Sequence, residues 1–544
     1  MRIVAAGLML ALGSKAAAVP ADFGSKAAVI MAADAPATGP GISAAVSDNG
    51  VIVWQGASGK ANVAAGTALT PASLFRYASI TKQFTAALIL KLSEDGRLSL
   101  DDTLGKLMFF ETPTAWHAVT VRQLLNHTSG IPSYTSKPGW MTEANTARPI
   151  TTQQLIDLTR DQPLDFAPGS AFRYNNSGYA LLSAIAEKLT GKPWYAALRE
   201  RITGPLGLSS IRCGCEPGMA VVEGHTADDK VAQRIDMSVP SGAGALVGTA
   251  ADLARWAAAL HGGKVLKPAT YRAMITPNGL PDGASERYAY GLTLGEVRGL
   301  STVGHNGGIF GFNTESLYAP DKKLFVAVLS NSDSREPEAA ITARRLLASA
   351  AGTPFPELKA QAADLKQLAP FVGLYKAAEA ERRFFIKDGK LYAQRGTGEA
   401  FEVYAAGNDR FFYGPRSLSY FTLSRGAEGT PVMTFHGNGA EAGEALAWAG
   451  PVPPEAATVT LAPGQLDRLV GSFAMGQAVM TIARNGNTLT GQLSGQPPIP
   501  LEPLSALEFR PVGIEARLVF EEQDGKVTRA VLHQNGRTLP FVRQ

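Results

Sequence analysis

Cysteine is nearly absent from this chain of 544 residues: Cys213 and Cys215 are the two examples, and a single glycine separates them. A bridge between cysteines this close would form a very small ring and add little stability through loop entropy. With no further cysteine, and with His225 as the nearest histidine, a zinc site has too few ligands. We therefore expect two free thiols in a loop, no bound metal and no other cofactor.

Charged residues are also scarce, at 18% of the chain, and the net charge is +4. No basic stretch interleaved with aromatic residues occurs, so the electrostatic footprint of a nucleic-acid-binding protein is missing. Hydrophobic residues make up 45% of the chain, which is typical of globular enzymes. We expect a small-molecule or short-peptide substrate as the partner, and no nucleic acid.

The apolar run at the amino terminus, Ile3 to Gly13, is too short to span a bilayer, so no stable membrane span is expected. It follows Met1-Arg2 and precedes Ala16-Ala17-Ala18, which together form the three-part pattern of a secretory signal peptide. Residues 1–18 are therefore predicted to be removed after Ala18, with a periplasmic or secreted location for the protein. A short disordered leader is the alternative interpretation.

The length suggests two to four domains, at roughly 150 residues each. Two β-rich runs flank Asp48-Asn49-Gly50, which is a strong hairpin signal. Apolar residues recur at helical spacing from Ser79 to Leu92, and strands return at Thr314 to Tyr318 and Leu324 to Leu329. We predict one α+β unit over residues 22–351, which begins with strands. Further helices are predicted at Thr152 to Thr159, Tyr179 to Leu189, Ala251 to Leu260 and Glu338 to Ser349.

An internal repeat follows Pro354, where the sequence changes to short β-rich runs between Gly, Asn and Asp turns. Leu368 through Tyr375 matches Leu466 through Phe473 in its apolar residues and its glycine. Two copies of one small all-β unit, each a barrel or a sandwich, are therefore predicted over residues 366–450 and 465–544.

Ser79-Ile80-Thr81-Lys82 places a serine and a lysine three residues apart on the predicted helix, where such residues share one face. A serine hydroxyl is a poor nucleophile at neutral pH and needs a base within hydrogen-bond reach. A lysine whose pKa is lowered can serve as that base. Taken alone, this pattern occurs by chance in most long chains, so its meaning depends on the other segments.

Two other segments carry suitable chemistry. Phe172 to Tyr179 supplies Tyr174 and Asn176, two positions apart, after a turn and before a predicted helix. Thr302 to Gly308 ends in His305-Asn306-Gly307-Gly308, where glycines let a strand backbone approach a ligand closely. These segments add a phenol, an amide and a glycine-rich strand to the serine and lysine.

Together the three segments resemble those of the penicillin-recognising serine hydrolases, which include class C β-lactamases, DD-peptidases, related esterases and D-aminopeptidases. In that family an S-x-x-K, a Y-x-N and a K-T-G or H-x-G motif line one cleft. The resemblance covers about Gly41 to Ser349, with the motifs in the family's order. It implies a β-lactamase-like α+β domain, in which helices flank an antiparallel sheet. We interpret His127, in the supporting stretch Leu124 to Gly130, as a structural hydrogen-bonding residue.

The resemblance also implies a role for each matching residue. Ser79 is the acylated nucleophile and Lys82 its base. Tyr174 is a second proton-transfer group, a phenolate in one version of the mechanism. The implied substrate-binding residues are Asn176, His305, Asn306, Gly307 and Gly308. The backbone N–H groups of Ser79 and Gly308 would form an oxyanion hole, typically worth ~2.7–4 kcal/mol per donor.

His305 stands where K-T-G members carry a lysine that can bind a substrate carboxylate. Histidine, with a reference pKa of about 6.5, is mostly neutral above neutral pH, so carboxylate recognition is not expected. The arrangement of one catalytic domain and two small β units also resembles the plan of bacterial D-aminopeptidase, whose extra domains are antiparallel, lipocalin-like barrels. We expect hydrolysis of amide or ester bonds in small peptide-like substrates, with D-configured residues as the leading candidate.

Two alternatives stay open at this stage. The same residues suit an esterase or a class C-like β-lactamase. The second alternative is a non-catalytic penicillin-binding or sensor protein that has kept the fold. In that case the β units would carry its function. The sequence leaves the oligomeric state undetermined, and a dimer is one of the states that it allows.

Overall fold

The computed structural model divides the chain into two units. The described residues are 19–107, 111–277, 280, 287–333, 338–378, 380–396, 398–407, 409–414, 417–452, 458–475, 478–493, 496–514, 516–534 and 537–544. The predicted signal peptide, residues 1–18, lies outside them. The first unit extends to residue 135 and continues over 141–354, and the second comprises 136–140 and 355–544. Within the described residues, no helix is long and apolar enough to cross a membrane.

The first unit is built on a six-stranded antiparallel sheet of order β2-β1-β11-β10-β9-β8. Its strands are β1 Ile42–Asp48, β2 Val51–Ser58, β3 Lys60–Asn62, β4 Thr67–Ala68, β5 Phe75–Arg76, β6 Arg212–Cys213, β7 Leu246–Gly248, β8 Thr293–Val297, β9 Leu300–Ile309, β10 Phe312–Ala319 and β11 Leu324–Ser330. Its helices are α1 Phe23–Asp34, α2 Thr81–Glu94, α3 Leu104–Leu107, α4 Val121–Leu125, α5 Glu143–Thr146, α6 Thr152–Asp157, α7 Asn176–Thr190, α8 Trp194–Leu198, α9 Ser241–Gly244, α10 Ala250–His261, α11 Pro268–Met274 and α12 Ala339–Ala350. A 3-10 turn, Ala78–Ile80, precedes α2.

Local sequence signals account for many of these elements. The predicted hairpin is confirmed as β1 and β2, and its turn holds Asn49 at φ 48° and Gly50 at φ 80°. This left-handed backbone region is the one that Asn and Gly tolerate best. The apolar pattern after Ser79 corresponds to α2. The other four predicted helices are also confirmed, as α6, α7, α10 and α12.

The expectation that the first unit begins with strands is wrong, because α1 precedes β1. Phe23, Ala27 and Met31 are spaced four residues apart and are all buried, so α1 has one apolar face. The helix packs against α12. At its end, the buried Asp34 forms an ion pair with Arg345 of α12 at 2.6 Å. Tertiary burial of one narrow face therefore stabilises α1.

Helices cover both faces of the sheet, as two neighbouring residues of β10 demonstrate. Successive side chains on a strand point to opposite faces. Ser316 Oγ accepts a hydrogen bond from Gln83 Nε2 of α2 at 3.0 Å, whereas Glu315 interacts with the charge of Arg344 in α12. The adjacent strand β11 is buried along its whole length. Helices α2 and α12 therefore lie on opposite faces of the sheet.

Cys213 and Cys215 are joined in a disulfide, so the expectation of two free thiols is wrong. Their Cα atoms lie 5.1 Å apart, within the range that a bridge requires. Cys213 ends β6, which pairs with β7, and Gly214 N donates to Ala245 O at 2.8 Å. Backbone pairing of β6 with β7 therefore fixes the conformation of residues 213–215. Loop entropy describes only the small stability that such a ring adds and leaves this pairing out.

The second unit contains two antiparallel β sheets, and a short helix precedes each of them. The elements of the first are α13 Leu365–Leu368, β12 Gly373–Lys376, β13 Glu381–Lys387, β14 Lys390–Arg395, β15 Ala400–Glu402, β16 Tyr404–Ala405, β17 Arg410–Phe412, β18 Tyr420–Arg425, β19 Pro431–His436 and β20 Glu444–Gly450. Those of the second are α14 Pro463–Asp467, β21 Gly471–Met475, β22 Ala478–Asn485, β23 Thr488–Leu493, β24 Ile499–Pro503, β25 Glu508–Pro511, β26 Ala516–Gln523, β27 Lys526–Gln534 and β28 Arg537–Arg543.

The two sheets correspond to the two copies of the sequence repeat. Tyr375 and Phe473, which share one repeat position, are fully buried in the cores of their respective sheets. The second sheet is a closed eight-stranded barrel. The first has nine strands, and its edges β15 and β16 follow one another along the chain, so it is nearly closed. The predicted fold class, a β-lactamase-like α+β domain followed by two small antiparallel barrel-like domains, is confirmed.

Glu315 makes the stability of the first unit depend on pH. It is buried in the sheet, and this burial raises its pKa from 4.5 to about 7, with Glu338 adding to the shift and Arg344 opposing it. When a carboxyl group has a higher pKa in the folded than in the unfolded state, its contribution to stability is lost as pH rises between the two values. We expect the free energy of unfolding to fall by roughly 3 kcal/mol from this group, since one pKa unit is ~1.36 kcal/mol.

Urea unfolding at a series of pH values from 4.5 to 8 measures this slope. Glu315→Gln, which cannot ionise, should remove the contribution and leave a flatter dependence of stability on pH. Glu296→Gln, on β8, is the matched control and should keep the slope of the wild type. An identical slope in Glu315→Gln and in the wild type would contradict the assignment.

Candidate active site

Ser79 lies in the 3-10 turn that leads directly into α2. The residues before it are held firmly: Tyr77 N donates to Leu246 O at 2.8 Å, and Tyr77 O accepts from Thr314 Oγ1 at 3.0 Å. Ala78 has φ 49°, a left-handed conformation that is uncommon outside glycine. Ser79 therefore stands at the amino end of α2, where the helix dipole favours negative charge.

Lys82 is fully buried one helical turn after Ser79. Its Nζ lies 3.2 Å from Ser79 Oγ, 2.8 Å from Asn176 Oδ1 and 2.9 Å from Ala243 O. It forms no ion pair with a carboxylate of any described residue. Burial disfavours the ammonium form and lowers the pKa of Lys82 well below its usual value. Burial therefore favours the amine form of the group that lies beside the serine hydroxyl.

Tyr174 and Asn176 flank the residue that caps α7. The side chain of Asn175 accepts a hydrogen bond from the first turn of α7, and its backbone N donates to His127 Nδ1 at 3.1 Å. Asn176 donates through Nδ2 to Thr135 Oγ1 at 3.2 Å, which turns its carbonyl oxygen toward the lysine. The cap thus fixes the orientation of the residues on either side of it.

Tyr174 stands at the edge of the site, with 38% of its surface exposed. Its ring centroid lies 4.7 Å from Lys82 Nζ and 4.4 Å from the ring centroid of His127. The hydroxyl end is enclosed by protein, and this burial raises the pKa of Tyr174, an effect that the neighbouring Ser79 only partly offsets. Tyr174 is therefore a phenol at neutral pH, which disagrees with the phenolate version of the mechanism.

His305 is turned toward Tyr288 and does not line the cavity beside Ser79. Its Nε2 lies 3.0 Å from the Tyr288 hydroxyl and its Nδ1 lies 2.5 Å from Asn306 O. Burial lowers the pKa of His305 to about 3. The imidazole is therefore neutral, as expected from the sequence, and it offers no positive charge to a substrate.

Tyr288 is a neighbour of the site that the sequence did not indicate. Its ring lies 4.6 Å from the ring of His127 and 6.0 Å from that of Tyr174, so it supports both. No motif surrounds it in the sequence. His127 itself is buried and accepts from the backbone of Asn175, which agrees with its interpretation as a structural hydrogen-bonding residue.

Gly307 and Gly308 differ in their surroundings. A Cβ on Gly307 would lie 2.5 Å from Tyr77 O and 2.4 Å from Thr314 Oγ1, distances that real side chains do not adopt. The missing side chain lets β9 pass directly beside the residues that precede Ser79. A Cβ on Gly308 would meet no atom within 4 Å. Because β8 pairs with β9 only as far as Gly304, this edge of β9 has no further strand partner among the described residues.

A cavity of about 410 Å³ opens beside Ser79. Asn176 and Gly308 line it, together with backbone and mostly apolar side chains. The apolar walls include Met141, Ile235, Val239, Phe310 and Phe312. Asp333, which carries no motif and was not identified from the sequence, also lines the cavity. The site therefore combines a nucleophile, an apolar cavity and one carboxylate.

The structure brings four of the predicted site residues together around one hydroxyl: Ser79, Lys82, Tyr174 and Asn176. The predicted residues of β9 are divided among three environments. Gly308 lines the cavity, Asn306 is exposed, and His305 and Gly307 are buried. In the described part of the chain, no group of three or more His, Cys, Asp or Glu side chains is placed to hold a metal ion.

An antiparallel sheet enclosed by helices, with a serine at the amino end of a central helix and a lysine one turn later, defines the β-lactamase-like class of domains. A model of the Beta-lactamase family matches residues 30–351, which is more than half of the chain. The chain belongs to the Beta-lactamase family.

Relatives within this family differ in name. The D-aminopeptidase of Gluconobacter oxydans (strain 621H) is 27% identical over 346 residues, 61% of this chain and 63% of that protein, less than two thirds of its length. Penicillin-binding protein 4* of Bacillus subtilis (strain 168) is 25% identical over 73% of this chain and 93% of its own length. The crystal structure of a D-stereospecific amidohydrolase from Streptomyces sp. has a TM-score of 0.51 and 26% identity, and covers 60% of this chain and 98% of that one.

Alanine substitution should affect stability differently at the two adjacent glycines of β9, Gly307 and Gly308. Gly307→Ala should lower the free energy of unfolding by about 1–3 kcal/mol, because its methyl group collides with backbone and forces β9 away from Tyr77. Gly308→Ala has room for the methyl group and should change stability by less than about 0.5 kcal/mol. Urea unfolding of both variants measures the difference, and equal stabilities would show that the close approach of β9 is not required.

Proposed function

We propose that this chain is a serine hydrolase that cleaves amide or ester bonds of small peptide-like substrates through an acyl-enzyme on Ser79. One observation carries the proposal: the buried, uncompensated Lys82 amine lies 3.2 Å from Ser79 Oγ. A neutral amine has two N–H donors and one lone pair. Asn176 Oδ1 and Ala243 O can only accept, so they take both N–H groups, and the lone pair faces the serine hydroxyl.

In the proposed first step, Lys82 takes the proton of Ser79 while Oγ attacks the substrate carbonyl. Negative charge then develops on the carbonyl oxygen. The proposed donors for this oxyanion are the backbone N–H groups of Ser79 at the start of α2 and of Gly308 at the open edge of β9. Both residues line the cavity, which supports this assignment.

Proton transfer to the leaving group requires an acid, and we assign this role to Tyr174. Its raised pKa keeps the phenol protonated, so it can donate its proton to the leaving amine or alkoxide and regain one from the Lys82 ammonium. Lys82 Nζ lies 4.7 Å from the Tyr174 ring centroid, which supports such an exchange. In the second half-reaction the same groups activate the water that hydrolyses the acyl-enzyme.

Substrates with D-configured residues are the proposed leading class. The Gluconobacter oxydans relative is named a D-aminopeptidase, and the Streptomyces structure is that of a D-stereospecific amidohydrolase. The neutral, inward-turned His305 leaves the cavity without the cation that would bind a carboxylate, which disfavours a dedicated β-lactamase. An esterase or a class C-like β-lactamase on the same residues is the competing assignment.

Covalent labelling tests the nucleophile. A fluorophosphonate should add to Ser79 of the wild type, and mass spectrometry of peptides should locate the adduct there. Ser79→Ala should form no adduct and lose on the order of 10³-fold or more in kcat, with its circular dichroism unchanged. Ser209→Ala, an exposed serine of the same unit, is the matched control and should react like the wild type. Labelling that persists in Ser79→Ala would refute the assigned nucleophile.

A substrate panel tests the reaction class. We expect the p-nitroanilide of D-alanine to be hydrolysed with a kcat/KM at least about tenfold above that of its L enantiomer, because a misplaced substituent costs ~1–3 kcal/mol in the transition state. A short-chain p-nitrophenyl ester and a chromogenic cephalosporin complete the panel. Turnover confined to the ester would favour the esterase, and preferred turnover of the cephalosporin would favour the β-lactamase.

A further inference from the structure

The charge of the cavity beside Ser79 depends on the side chains that line it. Among the described residues that line it, Asp333 is the only one with a charged group. Lys82 lies outside this lining, and burial lowers its pKa and disfavours its charged form. The Arg76 guanidinium lies 5.4 Å from the ring centroid of Phe312, but Arg76 does not line the cavity either. The charge that the described lining residues present to a substrate is therefore negative.

Asp333 is held in place from two sides. Its N–H donates to His225 O at 3.0 Å, and its Oδ2 accepts from Gly311 N at 2.9 Å in the turn between β9 and β10. Gly311 has φ 78°, and a Cβ there would lie 2.6 Å from Gly224 Cα, so this turn is closely packed. The residue is exposed, and its other carboxylate oxygen has no hydrogen-bond partner in the described chain. One oxygen is thus fixed while the second is available to a ligand.

We propose that Asp333 binds a cationic amine on the acyl part of the substrate and so selects substrates with a free ammonium group. This inference rests on the proposed function, because it concerns the same cavity. Asp333 and Ser79 both line one cavity of about 410 Å³, so a substrate that presents its scissile carbonyl to Ser79 occupies the cavity into which the free Asp333 oxygen can accept from an ammonium group. Hydrogen bonds between charged partners are roughly twice as strong as neutral ones, so the selection depends on charge.

Two substrates that differ in one charge test this inference: the p-nitroanilide of D-alanine with a free amine, and its N-acetyl derivative. The wild type should show the higher kcat/KM for the free amine. In Asp333→Asn, kcat/KM for the free amine should fall roughly ten- to hundredfold, mainly through KM, because a charged hydrogen bond is lost. The value for the N-acetyl derivative should change less than about threefold. Asparagine keeps an acceptor for Gly311 N, so the turn is preserved.

Asp321→Asn is the matched control. Asp321 is exposed between β10 and β11 and does not line the cavity, so this variant makes the same change in net charge at a remote position. It should keep the wild-type preference for the free amine. A short-chain p-nitrophenyl ester, which has no charge, should be hydrolysed equally by the wild type and Asp321→Asn.

The outcomes separate the two proposals. Loss of the amine preference in Asp333→Asn alone would establish the ammonium site. Ester turnover with no amine preference in the wild type, or an equal loss for both anilides in Asp333→Asn, would overturn this inference and leave the proposed function standing. Absence of turnover on every substrate, together with no labelling of Ser79, would refute the proposed function and this inference with it.

Discussion

The burial of Lys82 without a counter-charge is the constraint on which the rest of the site depends. Burial lowers the pKa of Lys82 and favours its neutral amine, and the three neighbours of Nζ orient that amine. Two of them, Asn176 and Ala243, lie on separate segments, so α7 and α9 must both pack against α2 for the amine to be oriented. Three helices, α2, α7 and α9, together therefore position the Lys82 amine.

A second constraint is steric. Strand β9 passes so close to Tyr77 and Ala78 that only glycine fits at position 307. This approach brings Gly308 to the same cavity as the serine, and the Thr314 hydroxyl on β10 holds the Tyr77 carbonyl in place. The unusual backbone of Ala78 persists because the sheet on one side and β7 on the other fix its neighbours.

Two residues, His305 and Asp333, bear on the charge that the cavity presents to a substrate. His305 is neutral and lies within hydrogen-bond distance of the Tyr288 hydroxyl, and neither residue lines the cavity. Asp333, three residues after the end of β11, is the charged residue among the described residues that line the cavity.

Local patterns in the sequence determined the elements that local chemistry controls: the hairpin at Asn49-Gly50, the helix after Ser79, and the repeated β unit. The motifs also sufficed to group Ser79, Lys82, Tyr174 and Asn176. Only the tertiary structure decided which way His305 faces, that the two cysteines are bridged, that α1 packs on α12, and that Asp333 reaches the cavity. Each of these depends on contacts between segments that lie apart in the chain, and a local pattern does not encode such contacts.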